Sequence, residues 1–233
     1  MNIKIFADGA NIDEILELNK NDLIKGFTTN PSLMRASGIT NYMEFAHTLT
    51  SAIKDKPISL EVFSDDFNEM YVQAIKLFKL GSNIYVKIPI TNTLGESSGP
   101  LIKKLTDFDI KVNVTAIMTS SQVQNIIRYI NPEVKSYISV FAGRIANTGV
   151  DPIPIMMKSL ELLEVEHNNL ELIWASPREY LNIHQAEQIG CHIITVTNSI
   201  LNNMYLIDKD LEEYSLDTVK MFYNDAKASG YII

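Results

Sequence analysis

The chain has one cysteine, Cys191, in 233 residues, which leaves no partner for an intramolecular disulfide and suits a reducing compartment, taken as the cytoplasm. Basic residues are scarce: 20 Lys and Arg against 28 Asp and Glu leave a formal net charge of -8. Surfaces that hold phosphate backbones or anionic lipid carry the opposite excess, so neither nucleic acid nor a membrane is expected as a partner. Apolar runs are strand-sized, far short of the roughly 20 residues a membrane helix needs. Residues 1–8 reach a carboxylate before any stretch resembling a signal peptide. Paired cysteines, an HExxH spacing and the Rossmann glycine fingerprint are all missing. The four histidines, His47, His167, His184 and His192, fall in helical or strand-start positions. No metal and no cofactor are therefore expected.

What the chain does have is a regular alternation. It is 46% hydrophobic and 21% charged, a balance that suits one soluble domain over residues 1–233. Short β-branched or aromatic runs at 4–8, 25–29, 58–62, 84–88, 111–115, 137–140, 171–175 and 192–196 read as strands. Amphipathic patterns lie between them, for example at 42–54, 68–80 and 120–130, with stop signals at Gly81, Gly190 and Asn131-Pro132. Eight βα units in this length predict an α/β fold, a (β/α)8 TIM barrel, rather than an open sheet. A helical extension follows from about residue 199 to 233, with Leu216, Val219, Phe222, Tyr223 and Ala226 on one face. That apolar face has two candidate covers, its own barrel or another subunit.

Strand parity places the chemistry, because successive side chains point to opposite faces. Ile58, Leu60 and Val62, Ile84, Val86 and Ile88, Val112, Val114 and Ala116, and Ile138 with Val140 are expected to meet the helices. Ser59, Glu61 and Phe63, Tyr85 and Lys87, Lys111, Asn113 and Thr115, and Tyr137 with Ser139 are expected to point inward. Barrel interiors are ordinarily filled by branched aliphatics, so converging carboxylate, amine, amide and hydroxyl groups point to a reaction site. Lys87 is the most informative of them. An ammonium buried without a partner costs several kcal/mol, roughly, which favours the neutral, nucleophilic amine.

The runs Phe6-Ala7-Asp8, Gly26-Phe27-Thr28-Thr29-Asn30-Pro31-Ser32-Leu33, Tyr85-Val86-Lys87-Ile88-Pro89, Asn113-Val114-Thr115-Ala116, Ser139-Val140-Phe141-Ala142-Gly143-Arg144-Ile145 and Ala175-Ser176-Pro177-Arg178 resemble the transaldolases. The likeness is greatest to the small ones related to fructose-6-phosphate aldolase. It implies that Lys87 is a Schiff-base lysine and Asp8 the group that takes and returns the hydroxyl proton of carbon-carbon cleavage. Glu61 and Thr115 would hold a proton-shuttling water. It further implies that Thr29, Asn30 and Asn113 bind the dihydroxyacetone unit. Arg144 and Arg178, with Ser139 and Ser176, would bind a sugar phosphate, and the chain would form a ring-like homo-oligomer, a pentamer or decamer.

Departures from the family pattern leave the anion open. Pro177 stands where phenylalanine is usual, and Val140 where many transaldolases carry proline, so phosphate, sulfonate and carboxylate all remain. Glu61 and Phe141 follow the transaldolases, whereas the aldolases tend to have glutamine and tyrosine there. Phenylalanine has no hydroxyl with which to protonate an enamine, which favours transfer over release. The competing readings are aldolase-type cleavage of a ketose and non-catalytic binding of a sugar phosphate. The polar loop 91–100 is expected to overhang the mouth, its rival being an exposed turn, and Trp174 is expected in the core, its rival being a wall of the pocket.

Overall fold

The computed structural model describes residues 2–166 and 169–232, so His167 lies outside the described residues. Eight strands, β1 (Lys4–Asp8), β2 (Ile24–Thr28), β3 (Ile58–Glu61), β4 (Ile84–Pro89), β5 (Val112–Ile117), β6 (Ser136–Val140), β7 (Leu170–Trp174) and β8 (Ile193–Thr197), pair in parallel and in chain order. The last returns to the first and closes the barrel. Every strand expected from the alternation is present, with ends shifted by at most two residues.

Local chemistry starts the intervening helices. Asn11, Asn41 and Asp66 accept hydrogen bonds from N–H groups of the first turns that follow them, and Thr119 and Gln122 form a reciprocal capping box. Gly190 ends helix Leu181–Gln188 at φ 76°, the left-handed cap that glycine allows without strain. Helix Phe67–Phe78 stops before Gly81, which is not left-handed; a side chain there would meet Asn83 Oδ1 at 2.8 Å. No helix among the described residues is long and apolar enough to cross a membrane.

The outward strand faces hold the fold together. Ile58, Leu60, Val86, Val112, Val114, Ile138 and Val140 are fully buried against the helices, and cutting Ile58, Leu60 or Ile138 to alanine costs about 2–5 kcal/mol. Trp174 belongs to this layer, as a core aromatic. Inside the barrel the lower half is closed by aromatics. Tyr85 and Tyr137 stack at 4.0 Å with Phe6 edge-on, and Gly26 leaves the space that the Phe6 ring occupies.

Three parity expectations fail, each for a local reason. β3 ends at Glu61, so Phe63 escapes the interior, is 48% exposed and lies edge-on to Tyr42. In β5 the register with β6 shifts between Val114 and Ile117, and Ala116 takes φ 63°. This bulge turns Ala116 away from the helices. Lys111 precedes β5, and its ammonium donates to the Ser82 carbonyl at the foot of the barrel instead of entering it.

Helix Leu211–Ser229 buries none of its residues; Leu216, Val219, Phe222 and Tyr223 are each more than half exposed. Its own barrel does not cover that face.

Candidate active site

A cavity of about 280 Å³ opens at the C-terminal ends of the strands, above the aromatic layer, where barrels of this kind carry their chemistry. Lys87 rises from β4 into it and is only 6% exposed. Glu61 is its register partner on β3, which puts both side chains on the inner face. Lys87 Nζ lies 3.1 Å from Glu61 Oε2 and donates to the Thr29 carbonyl at 3.0 Å. The amine is therefore buried but not unpartnered, contrary to the expectation from the strand alone. Both contacts are made through N–H and tie the nitrogen to the ends of β2 and β3.

Asp8, at the end of β1, faces the same cavity. Thr28 Oγ1 donates to one carboxylate oxygen at 2.8 Å and Asn30 Nδ2 to the other at 3.2 Å. A second bond fixes the orientation of the Asn30 amide. Its Oδ1 caps helix Pro31–Ala36 by accepting from Leu33 N, which leaves the NH₂ for Asp8. The Thr195 hydroxyl touches that of Thr28 and, since Thr28 donates to Asp8, acts as the donor there. Burial pushes the Asp8 carboxyl above its ordinary range, opposed by the Lys87 charge and by the bonds from Thr28 and Asn30.

Across the cavity the buried hydroxyl oxygen of Thr115 has no protein partner. A polar atom left so is a place for water or substrate. Asn113 and Ser139 do not line the cavity. They sit in the layer that carries Lys87, where the Asn113 amide accepts from Ser139 at 2.7 Å and donates to Ser59 at 3.0 Å. Thr29 contributes its carbonyl only, since its hydroxyl donates to Ser59 O.

The far wall carries Phe141, Arg144 and Ser176, with the Arg144 guanidinium 5.3 Å from the centre of the Phe141 ring. Ser176 adopts φ 62°, which is uncommon for a side-chain-bearing residue and clusters at functional sites. Its turn presses on Gly143: a Cβ there would lie 1.5 Å from the Ser176 carbonyl oxygen. Gly143→Ala is therefore expected to lower Tm by about 5 °C or more, as overpacking against backbone does. Calorimetry showing an unchanged Tm would contradict that contact. Arg178 stands outside the cavity, its Nε turned to the Gly143 carbonyl and to Asn147 Oδ1.

Cys191 is no rival nucleophile, because burial pushes its thiol up to about 12. The loop after β4 does not overhang the Lys87 cavity. The Asn92 side-chain carbonyl accepts from the N–H of Leu94 and Glu96, and Asp65 accepts from the N–H and hydroxyl of Thr93. So stapled, it lines a neighbouring cavity of about 450 Å³ that shares Pro31 and Glu61 with the first.

A sequence model described as transaldolase/fructose-6-phosphate aldolase matches residues 5–231. The chain belongs to the transaldolase/fructose-6-phosphate aldolase family. A protein of Clostridium kluyveri named "Probable transaldolase" is 34% identical over 92% of this chain and 97% of its own length. One of the same name from Thermoanaerobacter is 35% identical over 92% and 96%. The solved structure of a 3-hexulose-6-phosphate synthase shares the fold, with TM-score 0.59 at 14% identity over 87% of this chain and 92% of that one.

Six residues lining the Lys87 cavity were not anticipated: Thr28, Pro31, Ser32, Ala116, Ala175 and Thr195. Thr28 and Thr195 carried a usable signal, since strand parity extended to β2 and β8 turns both inward. Ala116 did not, because only its bulge exposes it.

Proposed function

We propose that the chain is a Schiff-base transaldolase that moves a dihydroxyacetone unit from a ketose phosphate to an aldose phosphate, with no cofactor. The observation that carries this reading is a buried amine, Lys87, held 3.1 Å from Glu61 in a cavity that also contains Asp8. Glu61 takes a proton from the ammonium, and the freed nitrogen adds to the ketose carbonyl. A water between Glu61 and the unpartnered Thr115 hydroxyl carries protons while the carbinolamine loses water to become a protonated imine. Asp8 then removes the proton from the C4 hydroxyl. The C3–C4 bond breaks, its electron pair passes to the imine nitrogen, and an aldose departs.

The enamine left behind needs an electrophile. Phe141 offers it no proton, so an incoming aldehyde takes that place and the steps reverse. Asn30 orients the three-carbon unit, and Asn113, with Thr29 and Ser139, supports Lys87 from below. Arg144 and Ser176, with Arg178 swinging in from the rim, hold the anion; among the described residues no ion pair neutralises either arginine. The exposed face of helix Leu211–Ser229 supports a homo-oligomer, pentamer or decamer, in which it is covered by a neighbouring subunit. The setting proposed is the cytoplasm and sugar exchange of the pentose phosphate type.

Borohydride added with fructose 6-phosphate is expected to fix a three-carbon adduct on the peptide containing Lys87, read by mass. An adduct on another residue, or none, sinks the assignment. Free dihydroxyacetone accumulating without acceptor would select aldolase cleavage instead.

A further inference from the structure

Helix Tyr42–Ala52 reaches the site from outside the barrel. The Tyr42 hydroxyl donates to the backbone carbonyl of Glu61 at 3.0 Å, and its ring lies edge-on to Phe63, with centroids 4.4 Å apart. The need for that bond lies in the adjoining strand. Along the β2–β3 ladder Thr29 N donates to Ser59 O. In a parallel ladder the next donor on that side comes two residues later. That residue is Pro31, which has no N–H. The Glu61 carbonyl is thus left without a strand donor at the point where β3 ends, and the phenol supplies one.

Tyr42 does not line the Lys87 cavity; it lies behind Glu61, on a separate hollow of about 240 Å³. Burial, and then the nearby Glu61 charge, push the phenol above its ordinary range, so it stays a donor. We infer that Tyr42 is a positioning residue whose hydroxyl replaces the amide missing at Pro31 and holds Glu61 against Lys87. Without it the Glu61 carbonyl has no donor on its β2 side, and the Glu61 carboxylate loses its fixed approach to the amine.

This inference rests on the proposed Schiff-base chemistry, and Tyr42→Phe tests it, because the ring contact with Phe63 is kept and only the hydroxyl is lost. The expected result is a kcat lowered about five- to tenfold, the size one lost net hydrogen bond carries. The rate of borohydride trapping on Lys87 falls by the same factor, with KM within about twofold of wild type. In a Glu61→Gln background the same change adds less than about twofold, since the two residues act as a unit. An unchanged trapping rate, a raised KM in place of a lowered kcat, or a full additive loss in the Glu61→Gln background each overturns the inference. Absence of any Lys87 adduct in the wild type is the separate outcome that removes the Schiff-base reading, and the inference with it.

Discussion

Lys87→Met is expected to lower turnover on the order of 10⁴-fold or more, the scale on which covalent nucleophiles are missed, and to abolish borohydride trapping. Among the described residues no other lysine lines the cavity, so none takes over the role. The substitution also breaks the pair with Glu61, whose side chain is largely buried. A carboxylate abandoned there costs up to about 3–5 kcal/mol if it stays charged, and less once it takes a proton. Lys87→Met/Glu61→Gln should therefore regain Tm over Lys87→Met while remaining inactive. Stopped assays and thermal melts on the two variants decide the point. Residual turnover above about one per cent of wild type in Lys87→Met would place the nucleophile elsewhere.

Asp8→Asn is expected to cost about 10²–10⁴-fold in kcat, the range for a positioned acid or base, and to alter how stability depends on pH. Burial raises the folded carboxyl above its ordinary value of 3.8. Between that value and the raised one the folded chain holds more protons than the unfolded chain. Wild-type stability consequently falls as pH climbs through the window and stays reduced above it. Asparagine does not titrate. The difference in Tm between variant and wild type should accordingly shift in favour of Asp8→Asn from about pH 4 upward, then level off. Melts from about pH 3 to about pH 8 measure it, and a shift in the opposite direction would mean that the Lys87 charge outweighs burial at Asp8.

The barrel was legible because its signal is periodic: short β-branched or aromatic runs recur eight times, with amphipathic stretches between them. Lys87 and Glu61 were legible for the same reason, since parity turns both inward and register makes them neighbours. What escaped depends on where periodicity ends. The stop of β3 at Glu61 released Phe63, and the bulge at Ala116 reversed a side chain that strict alternation assigns to the helices. Arg178 shows a different limit. Its position in the chain brings it to the correct end of the barrel, yet hydrogen bonds to Gly143 and Asn147 decide which way it faces. The bond from Tyr42 to Glu61 joins a helix to a strand nineteen residues away, and no local pattern announces such a pairing.

The stacked rings of Tyr85 and Tyr137, with Phe6 against them, make the barrel a cup rather than a tube. Everything that enters must leave by the same mouth. In the proposed exchange between two aldehydes this imposes turn-taking: the first has to vacate the cup before the second can sit down, while the shared fragment stays tethered to the wall between visits.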